Sequence, residues 1–301
     1  MKVSQLFKAH LALLGANIIY GVNYSVAKGI MPNFIEPFGF IFCRVLGALI
    51  LFWLLSFFTK KERIQFKDII RLFICGVFGV AANQLMFFYG LNLTSPINSA
   101  IIMTSNPILV LIMSAWIIKE RITPTKVGGI FLGLAGAAGL ILYGNNLSIS
   151  NDTFEGDLFI FLNASSYAMY LVLVKPLMHK YEPTTVIKWV FLFGFLIVIP
   201  FGFNQFTEIN WSSFTPQIWG GFLFVVIGTT FLAYLFNIYG LKQVNPSVVS
   251  TYIYSQPFIA TLVALILQQD ELNLVKIISA LFIFAGVYLV SIRKPKPKAN
   301  A

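Results

Sequence analysis

A lone arginine, Arg44, sits inside the apolar run FGFIFCRVLGALILFWLL. On a helix it lies about 10 Å, roughly two turns, from the nearer end of that run. Placing a guanidinium there costs about 2.5–3.5 kcal/mol on insertion scales, so it needs a partner. Two chemistries fit. Arg44 attracts the carboxylate or phosphate of a solute, or it ties helix ends together through backbone carbonyls or Glu36. Other apolar runs carry neutral polar groups in stripes. Asn17, Tyr20, Tyr24 and Lys28 share one helical face. Asn163, Ser166, Tyr167 and Tyr170 share another. Asn83 and Gln84 follow on a third helix, Asn98 and Ser105 on a fourth. Thr230, Tyr234 and Asn237 lie on an eighth, Tyr252 and Ser255 on a ninth. Tyrosine offers an apolar face and one hydroxyl, which suits binding a small solute. The set predicts a polar cavity enclosed by these six helices, with Arg44 near it. Taken singly, each group also reads as packing glue worth about 1 kcal/mol.

The absent chemistry narrows the class. All 11 acidic residues fall at helix ends or in loops. Intramembrane aspartyl catalysis has no aspartate to use. His10 and His179 sit at helix ends, so serine–histidine chemistry has no suitable base. No cluster has metal-ligand spacing. We expect no enzyme activity, no metal and no cofactor. Proton-coupled carriers often use an intramembrane carboxylate. Its absence points to a facilitator or an exchanger.

The elements that must position these residues are membrane helices. The 301-residue chain is 58% hydrophobic, 16% aromatic and only 11% charged, with mean hydropathy +0.82. A soluble domain carries about 25% charged residues. A span needs about 20 apolar residues. Ten segments qualify: 9–28, 37–58, 69–90, 96–118, 126–144, 157–178, 184–203, 216–240, 246–268 and 273–292. The first reads as a retained helix rather than a signal peptide, because no small-residue cleavage site follows it. Cys43 and Cys75 fall inside apolar segments and read as packed thiols. With the N-terminus in the cytoplasm, 18 of the 21 basic residues flank the inner face. Only Lys28 and Lys276 flank the outer one. That bias puts both termini in the cytoplasm. The net charge of +10 then describes rims facing anionic membrane lipid, not a nucleic-acid surface.

The chain also repeats itself. Tyr89-Gly90-Leu91 recurs as Tyr239-Gly240-Leu241. Pro96, Pro107 and Glu120 recur as Pro246, Pro257 and Asp270, each pair 150 residues apart. Tyr20 and Lys28 match Tyr167 and Lys175, Glu36-Pro37 matches Glu182-Pro183, and Gly136 matches Gly286. Helices 1–5 therefore recur as helices 6–10. Five is odd, so the second copy enters the membrane inverted. The fold class is an all-α membrane protein of ten transmembrane helices in a five-plus-five inverted-topology repeat. In such folds the substrate site lies near the midplane between halves. Pro107 and Pro257, each mid-helix, free the carbonyls of Met103 and Ile253. They are candidate hinges for alternating access, or kinks that only shape packing. Gly129, Gly133 and Gly136 read as a helix-packing surface.

Tyr89 through Gly136, with its echo from Tyr234 to Gly286, resembles the paired EamA-type domains of the drug/metabolite transporter superfamily. Arg44 matches an arginine typical of that pattern. Lys119-Glu120-Arg121 followed by Val127-Gly128-Gly129 resembles the family's junction between helices 4 and 5. The chain departs from it at Tyr20-Gly21, where Trp-Gly is common, and at Asp270-Glu271, where Glu-Arg is. The resemblance implies a first five-helix repeat over 1–150, a second over 151–292 and a basic cytoplasmic tail over 293–301. It implies a secondary transporter of small organic metabolites such as amino acids, an exporter or exchanger in a bacterial cytoplasmic membrane. The alternative is exchange of nucleotide sugars or sugar phosphates. Oligomeric state is left open. Single cysteines at Asn146 and Gln205 are expected to react with impermeant thiol reagents in intact cells, and one at Glu62 is not. Outside labelling at Glu62 would reverse the orientation.

Overall fold

The structure, a computed structural model, describes residues 2–94, 96–143, 154–266 and 274–291. Asn146, Asp270 and the 293–301 tail lie outside the described residues. Within them the chain is all helical and forms ten rods. They are α1 (Lys2–Ile30), α2 (Pro37–Phe57) and α3 (Phe66–Leu93), then α4, in two pieces, Pro96–Met103 and Asn106–Ile117. Next come α5 (Pro124–Tyr143), α6 (Phe154–His179), α7 (Pro183–Thr207) and α8 (Pro216–Gln243). The last two are α9, from Pro246 to Ile266, and α10 (Leu274–Ser291). Five of them, α2, α3, α6, α7 and α8, are each long and apolar enough to cross a membrane by themselves. Large apolar side chains such as Ile112, Phe131, Leu196 and Leu281 face outward, as a lipid surround demands. Six rods open on proline, whose missing N–H costs nothing at a first helical turn.

The inverted repeat is visible in local geometry. Glu36 and Glu182 both precede a proline in extended conformation and start α2 and α7. α3 contains a wide π-helical turn at Val77–Ala81, and α8 contains one at Phe224–Leu232. Shifting the first by the 150-residue offset places it inside the second. α4 breaks after Met103, and α9 tightens to a 3-10 turn at Tyr252–Tyr254. Packing follows the same symmetry. α2 packs on its counterpart α7, and α5 on its counterpart α10. α3 packs on α6, and the equivalent pair, α8 on α1, matches it.

Close helix approach depends on missing side chains. A Cβ on Gly129 would lie 2.8 Å from the Gly286 carbonyl oxygen, and one on Gly286 would lie 2.6 Å from that of Gly129. The helix that carries Arg44 is held at its start from α7. The Gln205 side-chain oxygen accepts from the Phe38 and Gly39 amides, at 2.8 and 2.9 Å, satisfying two donors that a helix start leaves open. The ion pairs among the described residues, Lys126–Glu120, Lys180–Asp68 and Lys242–Glu182, all lie on the basic rim. Cys43 and Cys75 are buried free thiols.

Packing at the α5 glycines is testable. A Cβ at Gly133 would meet the Tyr254 ring at 2.5 Å, whereas one at Gly128 meets nothing within 4 Å. Gly133→Leu is expected to lower the thermal unfolding temperature, by an overpacking cost of about 1–3 kcal/mol. Gly128→Leu should leave that temperature unchanged.

Candidate functional site

A cavity of about 80 Å³ lies at the centre of the bundle. Seven rods contribute to its wall: α1, α2, α3, α4, α6, α8 and α9. Of the residues expected there, Asn17, Tyr20, Tyr24, Arg44, Asn83, Gln84, Asn163, Tyr167, Tyr234 and Asn237 are brought together around it. Asn98 lies on α4, and its side chain is outside the described residues.

Besides Lys28 and Thr230, described below, five expected residues sit off this wall, each for a visible reason. The Ser105 and Ser255 hydroxyls donate to the carbonyls three residues back, Ile102 and Tyr252, at 2.7 and 2.6 Å. They supply bonds where the two helices break, so their polarity answers the backbone. Ser166 donates to the Phe78 carbonyl at the wide turn of α3, at 2.7 Å. The Tyr252 hydroxyl lies 2.7 Å from His10 Nδ1. Tyr170 is buried against the α3 wide turn, where a Cβ on Gly79 would meet its ring at 2.3 Å.

The wall also holds residues that the stripes did not flag: Asn23, Thr229 and Gln256, with the apolar Phe87, Phe88, Met103, Val249 and Ile253. Two signals were available. Asn23 lies three residues beyond Tyr20, on the same helical face. Gln256 is the repeat partner of Asn106, at the 150-residue offset.

Repeat-equivalent positions bond to one another or make equivalent bonds. Gln84 Nε2 donates to the Tyr234 hydroxyl at 2.7 Å, and these two residues are repeat partners. Asn106 Nδ2 donates to the Ala164 carbonyl at 2.6 Å, joining α4 to α6. Its counterpart Gln256 Nε2 donates at 2.9 Å to Asn17 Oδ1, joining α9 to α1. Tyr24 donates to Gln256 Oε1, Asn237 Nδ2 to the Tyr20 hydroxyl, and Asn163 Nδ2 to the Asn83 carbonyl. In lipid such bonds must be made inside the protein, because no water stands by to replace them.

The paired lysines serve the backbone too. Lys28 Nζ donates to the Leu91, Asn92 and Thr94 carbonyls at 2.8, 2.9 and 3.3 Å. Lys175 Nζ donates to the Leu241 and Val244 carbonyls at 2.6 and 2.7 Å. Each cation thus closes the C-terminal end of an equivalent helix, α3 or α8, where carbonyls are left open and the dipole is negative.

Arg44 is 2% exposed. Nε donates to Thr230 Oγ1 at 2.8 Å, and the guanidinium carbon lies 4.3 Å from the Phe88 ring centroid. Glu36 does not reach it, and no ion pair among the described residues includes it. Three polar atoms on the same wall, Asn23 Oδ1, Asn163 Oδ1 and Thr229 Oγ1, are buried without a partner among the described residues. The arrangement can hold a small solute with a negative group and hydrogen-bond donors.

Ten helices in an inverted repeat around a central polar cavity are the architecture of a membrane transporter. The pattern of the EamA-like transporter family matches residues 7–142 and 154–292, and the chain belongs to that family. It is 27% identical over 296 residues to the uncharacterized transporter YyaM of Bacillus subtilis, covering 95% of each chain. It is 24% identical to Protein WALLS ARE THIN 1 of Arabidopsis thaliana, covering 99% of this chain and 86% of the relative. A solved crystal structure superposes with a TM-score of 0.74 at 18% identity, covering 97% of both chains, a likeness of fold alone.

The lysine closures yield a stability prediction. Lys175→Met strips two buried carbonyls of their donor, a loss of about 1–3 kcal/mol for each such group. Its unfolding temperature is expected to fall clearly below wild type, and that of Lys28→Met likewise. An unchanged temperature in both would mean the lysines do not hold the helix ends.

Proposed function

We propose that the protein is a secondary transporter that moves small organic metabolites such as amino acids across the cytoplasmic membrane by alternating access, as an exporter or exchanger. The observation that carries this reading is Arg44, a buried cation on the cavity wall with no acidic partner among the described residues. A buried charge is tolerable when it is paired. A carboxylate-bearing solute completes the pair. Unpartnered Asn23 Oδ1 and Asn163 Oδ1 accept from the donors of the same solute, and the tyrosine and phenylalanine rings cover its apolar part. The solute is therefore a small zwitterion or weak anion. The cavity of about 80 Å³ supports a small one, since drug-sized sites run about 300–1,000 Å³.

On this reading the substrate-contacting wall is Asn17, Tyr20, Tyr24, Arg44, Asn83, Gln84, Asn163, Tyr167, Tyr234 and Asn237. The working halves are 1–150 and 151–292. The helix breaks at Pro107 and Pro257 serve as hinges, supported by their equivalent positions beside the cavity. Basic residues concentrate on one rim, which supports cytoplasmic termini in a bacterial cytoplasmic membrane. Exchange of nucleotide sugars or sugar phosphates has less support. A phosphate dianion calls for more than one cation, and Lys28 and Lys175 hold backbone carbonyls instead.

Proteoliposomes loaded with unlabelled solute test this by counterflow, comparing labelled amino acids with labelled nucleotide sugars. We expect amino-acid counterflow that persists when the pH gradient is collapsed. Arg44→Gln should cut it about 10- to 100-fold, the size of a lost charge-assisted pair. Nucleotide-sugar counterflow, or full activity in Arg44→Gln, would overturn the reading.

A further inference from the structure

We propose that Thr230 is the positioning residue that aims Arg44, leaving only its outer fork for a single substrate carboxylate; this rests on the reading of Arg44 as the anion site. Thr230 is fully buried on α8. Its hydroxyl accepts from Arg44 Nε at 2.8 Å and donates to the Val225 carbonyl at 2.8 Å. In a regular α-helix a threonine hydroxyl reaches the carbonyl three or four residues back. Here it reaches five back, inside the wide turn Phe224–Leu232. A hydroxyl has one proton. With that proton held by Val225, the oxygen presents lone pairs to the guanidinium and can act towards it only as an acceptor. Arginine can only donate, so the direction of the bond is given; what the wide turn fixes is where the accepting lone pairs point.

The consequence is a choice between binding edges. A guanidinium offers five N–H donors in a rigid planar fork, and carboxylates dock on it in parallel pairs. One such edge uses Nε and one Nη. The other uses both Nη groups. Thr230 occupies Nε, so the mixed edge is blocked. The guanidinium carbon also lies over the Phe88 ring, 4.3 Å from its centroid. What remains is the pair of Nη groups, end-on, without a protein partner among the described residues. That edge matches one planar carboxylate. Without Thr230 the Nε edge is released, and the carboxylate has two edges to meet instead of one. Only one of the two wide turns does this. The residue equivalent to Thr230 in α3 is Val80, which has no hydroxyl, so the device belongs to the second repeat alone.

The test is ligand-dependent thermal unfolding of the purified full-length protein. The probes are the standard L-amino acids and benzoate, each compared with its carboxamide. We expect at least one carboxylate to stabilise the wild type where its carboxamide does not. Thr230→Val should weaken the dissociation constant for that carboxylate about tenfold, a loss typical of one bond to a charged group. Thr230→Ser, which keeps the hydroxyl, should stay within about twofold. Thr230→Ala serves in place of Thr230→Val if the latter does not purify folded, since it too lacks the acceptor. Wild-type affinity in the variant without the hydroxyl overturns the positioning role and leaves Arg44 as anion site. No carboxylate stabilising the wild type, or undiminished binding by Arg44→Gln, overturns the anion site and this inference with it.

Discussion

A guanidinium lies at the centre of a bundle that lipid surrounds, and no carboxylate among the described residues answers it. Most of the structure near it can be understood from that constraint. A charge in the membrane interior is tolerated when protein or a water-lined cavity encloses it. Here α2 carries Arg44, Gln205 of α7 fixes the start of α2, and α8 supplies Thr230. Phe88 of α3 supplies the negative face of an aromatic ring, an attraction of about 0.5–2 kcal/mol. None of these contacts neutralises the charge. They hold it in place beside a cavity, and that is how the fold and the proposed transport connect.

Symmetry explains how so many polar groups coexist with hydrocarbon. The two halves meet through equivalent residues, as Gln84 and Tyr234 do. They also join equivalent positions in mirrored places, Asn106 to the backbone of Ala164 and Gln256 to the side chain of Asn17. Lys28 and Lys175 close equivalent helix ends at opposite faces. A bond used twice leaves fewer polar groups to satisfy by chance. Symmetry breaks where the cavity needs it to. Arg44 has no charged counterpart in α7, and Thr230 has only Val80 opposite it in the repeat. The site is thus asymmetric within a symmetric frame.

Much of this was legible in the chain. Apolar runs with proline at their starts give helices, and the 150-residue offset gives the inverted repeat. Arg44 stood out because charge is rare in such runs. The stripes of Asn17, Tyr20 and Tyr24 pointed to a wall that the structure assembles. What the sequence hid came from local backbone. A stripe argument assumes 3.6 residues per turn, and the wide turns of α3 and α8 break that period. Thr229 can therefore line the cavity while its neighbour Thr230 bonds Arg44. Ser105 and Ser255 looked like cavity residues because they are polar and mid-helix. Their hydroxyls instead bond the Ile102 and Tyr252 carbonyls, each one residue before the carbonyl that the proline frees. Lys28 and Lys175 were matched by the repeat, and only the fold shows which carbonyls they meet.

The most direct measurement is an experimental structure determined with a bound carboxylate solute in the central cavity. The account predicts the carboxylate about 3 Å from both Nη groups of Arg44, with Nε still on Thr230. A solute bound elsewhere, with Arg44 facing a protein carboxylate, a lipid headgroup or an inorganic anion, would contradict it.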